Sequence, residues 1–154
     1  MALSVIIVLY ITIGLMSAAG SVAIAKKLFS AKAEQIFFGL FLVPIAGFYL
    51  AFTAHFGNEG AWRLEAGAAA VFAALGVLGS RVSFVLMLGY VLHGLWDLLH
   101  ELHGHAGVVD FVTSTGTEIP LAYGVFCATY DWCMAGYFYT RRGQWSSAWG
   151  AQTR

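Results

Sequence analysis

Residues 3–25 read LSVIIVLYITIGLMSAAGSVAIA, without one charged side chain, and Lys26-Lys27 closes the run. A hydrocarbon core about 30 Å thick needs roughly 20 apolar residues at 1.5 Å per residue, so this stretch has the length and composition of a membrane-crossing helix. Ala23-Ile24-Ala25 resembles a cleavage site. No positive n-region precedes the apolar run, however, and a long apolar segment stopped by two lysines reads as an uncleaved span.

Four more stretches of the same kind follow: from about Ile36 to His55, with Pro44 inside it, Leu64 to Gly79, Val82 to Leu102, and Ile119 to Thr140. The last is stopped by Arg141 and Arg142. The expected fold is therefore all-α, a polytopic membrane bundle of five transmembrane helices forming one domain over residues 1–154. Composition agrees. Of 154 residues, 60% are hydrophobic and 10% charged, more apolar side chains than a soluble globule of that size can bury. The lipid bilayer is the first partner implied. A formal net charge of zero gives no reason to expect nucleic acid.

If the spans alternate, Lys26, Lys27, Lys32, Arg81, Arg141, Arg142 and Arg154 share one side and Arg63 alone lies on the other. Short basic loops are retained in the cytoplasm. The expected location is a bacterial inner membrane, with the N-terminus outside and the C-terminus inside. Gly79-Ser80-Arg81 allows only a tight turn, so spans three and four should be antiparallel neighbours. Gly67, Ala70, Ala74 and Gly76 let backbones approach the third span, which is expected at the centre. Trp145 and Trp149 suit a short segment at the cytoplasmic interface. Cys127 and Cys133 fall on different faces of one span and cannot pair.

The chemistry concentrates in the run His93-Gly94-Leu95-Trp96-Asp97-Leu98-Leu99-His100-Glu101-Leu102-His103-Gly104-His105. At about 100° per residue His93, Asp97 and His100 lie on one helical face, with Gly89 beside them. Imidazole nitrogens and a carboxylate in line are a metal-ligand inventory. In the last span Pro120, Gly124, Cys127 and Asp131 form a small-residue face suited to pack on this helix, which brings Asp131 near the level of His93. His55 and Glu65 fall at the outer ends of spans two and three and could complete the set. Charged groups at membrane depth are costly unless paired. A divalent cation, zinc or iron, is thus expected at His93, Asp97 and His100 with Asp131, His55 or Glu65, and Glu101 as general base. A buried hydrogen-bonded pair without metal is the competing structural expectation.

The pattern His93-x-x-Trp96-Asp97-x-x-His100, followed by Ile119-Pro120 and Tyr130-Asp131, resembles a family of small bacterial membrane proteins of unknown function over the last third of the chain. The resemblance implies that His93, Asp97, His100 and Asp131 are the functional positions. Glu101 stands where that pattern carries a second histidine.

The sequence is thus read as a membrane-embedded metalloprotein, an enzyme acting on a lipid-like or other apolar molecule in the outer half of the bundle. The alternatives are a haem- or metal-carrying accessory subunit of a larger membrane complex, with His55 and His100 as a bis-histidine pair, and an ion or proton conduit. Membrane-complex partners or a homo-oligomer are compatible with all three. The loop from Ala106 to Glu118 is long and apolar enough to cover the outer end as a lid or docking surface.

The orientation is directly testable. A reporter fused after Arg154 should be active only in the cytoplasm and one inserted at Asp110 only outside, and an external C-terminus would reverse the assignment.

Overall fold

The computed structural model describes residues 2–56, 59–106 and 116–150, and of residues 103–106 the backbone alone. The described residues are helical throughout their length apart from short connections: α1 (Ala2–Leu28), α2 (Ala31–Phe56), a 3-10 turn (Glu59–Ala61), α3 (Trp62–Gly79), α4 (Ser83–Ala106) and α5 (Tyr123–Gly150). Four segments, Ala2–Leu28, Ala31–Phe56, Glu59–Gly79 and Ser83–Leu102, are long and apolar enough to cross a membrane. Helix α5 is as long, but it carries Asp131, Arg141 and Arg142. It packs against α1, α4 and α2, and Asp131 is turned into the protein rather than outward. Its less apolar composition is therefore compatible with a bundle position.

Three boundaries differ from the sequence reading, each for a physical reason. Helix α5 begins at Tyr123 rather than Ile119 because Ala122 adopts a left-handed conformation (φ 61°), which ordinary L-residues cannot continue into a helix. It does not stop at Arg141 and Arg142 but runs on to Gly150. The two tryptophans thus belong to α5: Trp145 is fully buried, and Trp149 donates its indole N–H to Gln35 Oε1 at 3.0 Å. Helix α2 begins at Ala31, which brings Glu34 and Gln35 inside the bundle.

Helix α3 is peripheral, not central. It packs against α2 and α4 as the tight Gly79-Ser80-Arg81 turn requires, and leaves Val71, Val77 and Leu78 exposed. Its small residues do different things. Gly76 meets the backbone of Gly39 on α2 so closely that neither has room for a Cβ, whereas Gly67 faces open space. Consecutive helices α1 and α2 diverge, and α1 packs chiefly on α5, leaving a crevice between them lined by Ser21, Phe41 and Tyr130.

Two polar layers sit at opposite ends, separated by hydrocarbon. Along α2, α4 and α5 in turn, Phe38 and Leu42, Leu86 and Tyr90, and Met134 and Phe138 are buried to completion. They occupy the turns between Glu34 at one end and His93 and Asp131 at the other.

Replacing Gly76 with valine should lower the thermal midpoint of the detergent-solubilised protein, by a loss of about 1–3 kcal/mol from overpacking against Gly39. Gly136→Val, where a Cβ meets nothing within 4 Å, should leave it nearly unchanged. Equal effects at the two positions would contradict the close α2–α3 crossing.

Candidate metal centre

Helix α4 presents His93, Asp97 and His100 on consecutive turns of one face, and all three are buried. Helix α5 can reach them because Gly124 lies against the backbone carbonyl of Asp97 with no space for a side chain. One turn below Cys127, Asp131 then faces His93. Its Oδ2 is 2.7 Å from His93 Nδ1, and Asp97 Oδ2 approaches the same nitrogen at 3.2 Å. One ligand atom from each of His93, Asp97 and Asp131 falls within 4.8 Å of the others.

A ring nitrogen carries at most one hydrogen, and here it faces two carboxylates. The hydrogen-bonding geometry is with Asp131, and Asp97 Oδ2 has no partner among the described residues. The other Asp97 oxygen accepts a short hydrogen bond, 2.5 Å, from the Tyr49 hydroxyl of α2. His93 Nε2 also has no partner among the described residues, and the edge of its ring meets Phe72 of α3, with centroids 4.8 Å apart. Two carboxylates and one imidazole at 0–2% exposure thus leave one carboxylate oxygen without a donor in a place where water is scarce. Two facing carboxylates are costly there unless a cation or a shared proton neutralises them.

His100 belongs to a neighbouring pair rather than to this trio. Its Nε2 lies 2.9 Å from Glu65 Oε1 and its Nδ1 lies 3.0 Å from the Trp96 carbonyl, so both ring nitrogens face acceptors. Glu65 Oε1 also accepts the Thr117 amide at 3.0 Å, while Glu65 Oε2 has no partner among the described residues. The Tyr49 ring joins the two groups, packed 4.6 Å from the His100 ring while its hydroxyl holds Asp97.

The remaining expected residues are placed differently. Glu101 was expected to act as a base, but its two oxygens accept the amides of Ala122 and Gly124 at 2.8 and 3.0 Å. It caps the start of α5 and holds the left-handed Ala122 in place. His55 is exposed at the end of α2, in edge contact with Phe56, outside the buried group. The side chain of His103, and residues 107–115 of the expected lid, lie outside the described residues.

Sequence reasoning assigned no role to Tyr49. A tyrosine deep in an apolar span has a hydroxyl that must find a partner, and that was the available signal. It also missed the opposite polar layer. Glu34 Oε2 accepts Arg141 Nε and Nη2 at 2.9 and 2.7 Å and Trp145 Nε1 at 2.9 Å, and Glu34 Oε1 accepts the Tyr137 hydroxyl. Gln35 donates to the Gly79 carbonyl at 2.9 Å. Every partner is a protein group, so this layer is a clasp.

A cavity of about 310 Å³ lies against the trio on the α1–α2 side, with His93 and Asp131 in its wall. Phe41, Ile45, Phe48 and Phe126 give it an apolar lining.

A family of unknown function, DUF6010, matches residues 6–144, far more of the chain than the last third. No curated protein and no solved structure matches the chain.

The role of Glu101 generates a prediction. Glu101→Ala should destabilise the protein by about 0.5–2 kcal/mol, the range for loss of a helix cap, without changing bound metal. A Glu101→Ala protein of unchanged stability would contradict the capping role.

Proposed function

The chain belongs to the DUF6010 family, which brings no activity with it, and we propose that it is a membrane-embedded metalloprotein acting on an apolar, lipid-like molecule. In this reading His93, Asp97 and Asp131 hold one divalent cation, and the adjoining cavity receives the substrate. The observation that carries it is the orphan Asp97 Oδ2, which shares His93 Nδ1 with Asp131.

Charge supports a cation there. Two carboxylates, one neutral imidazole and one doubly charged ion sum to zero, the arrangement a low-dielectric site tolerates best. Geometry supports it as well. Ligands at about 2.0–2.2 Å in a tetrahedron stand about 3.4 Å apart. The His93–Asp97 separation of 3.2 Å meets this, and the 2.7 Å His93–Asp131 contact needs to open by a fraction of an ångström. One nitrogen and two oxygens suit zinc or iron. Such an ion supplies Lewis-acid polarisation of a substrate oxygen, or a water made nucleophilic. Tyr49 would orient Asp97 from outside the coordination sphere, as hydrogen-bonded partners of ligating carboxylates do.

The other two readings have less behind them. Bis-histidine haem ligation needs a free nitrogen on each histidine, and His100 has both engaged. A conduit needs polar groups in sequence across the bundle. Phe38, Leu42, Met134 and Phe138, all buried, interrupt that sequence. The distribution of basic residues supports an inner-membrane orientation in which the metal centre lies toward the outer face.

Elemental analysis of protein purified in detergent without chelator tests the reading. Wild type should carry one equivalent of zinc or iron, and His93→Gln, Asp97→Asn and Asp131→Asn should each lower metal content by tenfold or more, about the loss that follows damage to a metal's ligand shell. His100→Gln should retain it. Wild-type protein without stoichiometric metal would overturn the proposal in favour of a hydrogen-bonded His93–Asp131 pair.

A further inference from the structure

The cavity beside the metal centre is one half of a longer crevice. A second cavity of about 250 Å³ continues along α1 and α2 toward the Lys26 end and shares Ser21, Phe41 and Tyr130 with the first. The two halves differ in chemistry. The lower one is lined by Ile24, Ala25, Phe29 and Phe37, and its two hydroxyl groups, Ser21 and Tyr130, are bonded to each other where it meets the upper one. The upper one carries aromatic side chains from two helices, Phe41 and Phe48 of α2 and Tyr123, Phe126 and Tyr130 of α5.

None of these five rings is fully buried, and Phe48 is 50% exposed. Phe41 stacks on Phe37 and Tyr123 meets Phe52 edge-on, so the wall is a packed set of rings whose remaining surface borders the cavity. Polar groups stand on two sides of the ring-lined space. Ser17 and Ser21 project from α1, and His93 and Asp131 close the far wall.

We propose that the α1–α2 crevice binds a single-tailed amphiphile whose head is a planar, oxygen-bearing ring of the phenol or quinone class. The ring lies in the upper cavity among the five aromatic side chains, its oxygen turned to the His93–Asp131 wall, and the tail runs down the lower cavity. This deepens the metalloprotein reading, on which it rests only for the cation at the polar wall. Aromatic rings gain from offset and edge-on contact with a second ring beyond what a saturated chain of equal area gains, which selects the head. Size selects the tail number. At about 310 Å³ the upper cavity stands at the low end of the roughly 300–1,000 Å³ of ligand pockets, enough for one ring and too little for a two-tailed lipid.

Para-decylphenol and hexadecanol have the same number of carbons and both end in a hydroxyl, so they isolate the ring. Binding of each to the full chain in nanodiscs should favour the phenol by about tenfold or more, the scale of several added ring contacts. Phe48→Leu combined with Phe126→Leu should remove most of that preference while hexadecanol binding stays the same. The comparison of the two probes on the wild-type chain needs no variant to fold. Stripping the metal with chelator should weaken phenol binding without abolishing the preference for a ring. Equal affinity of the wild-type chain for the two probes would overturn the proposal. That result alongside stoichiometric metal would leave the metal centre standing. A ring preference in protein that holds no metal would instead sustain the crevice and remove the metal centre.

Discussion

Two aspartates facing one imidazole nitrogen inside an apolar bundle is the constraint around which one end of this protein is arranged. Each carboxylate alone would be expensive at that depth, and one histidine cannot supply hydrogens to both. The surrounding helices answer in pieces. Helix α2 sends the Tyr49 hydroxyl to the free side of Asp97, and α3 backs His93 with Phe72. Helix α5 comes close enough to deliver Asp131 because Gly124 has no side chain. The helix contact and the charge arrangement cannot be separated. Any side chain at Gly124 would push Asp131 away from His93 and leave two isolated buried charges.

The opposite end is built on another principle. Glu34 is just as buried as Asp97, but it is met by a guanidinium, an indole and a phenol, so its charge is balanced within the chain. This fully satisfied clasp fastens the start of α2 to the end of α5, while Gln35 reaches both the α3 terminus and Trp149. One end is electrostatically complete, and at the other Asp97 Oδ2 and Glu65 Oε2 lack a donor among the described residues, the contrast expected between a structural fastening and a place where something binds.

Much of this was readable in the residues. Length and hydropathy were enough for the helices, and the i, i+4, i+7 spacing of His93, Asp97 and His100 placed them on one face. The facing small-residue stripe on α5 pointed to Asp131. What could not be read were choices made by packing between helices. Spacing along α4 does not say that His100 turns to Glu65 on α3 while His93 turns to α5, because both residues share the same face. Glu101 carries no mark distinguishing a base from a cap until Ala122 is seen in its left-handed conformation with its amide aimed at the carboxylate. Tyr49 and Glu34 carry no mark in the sequence because their partners, Asp97 for the one and Tyr137, Arg141 and Trp145 for the other, come from other helices. The peripheral position of α3 was hidden because a run of small residues marks close approach but not the number of neighbours.

The divergence of α1 from α2 has a consequence for supply. A crevice between two apolar helices is open from the side, so on the proposed function a molecule would reach His93 and Asp131 by lateral diffusion and never have to leave the lipid phase. Its occupancy would then be governed by mole fraction in the membrane rather than by concentration in the surrounding water. Inert lipid added to the host bilayer would lower that occupancy even with the total amounts of protein and ligand held constant.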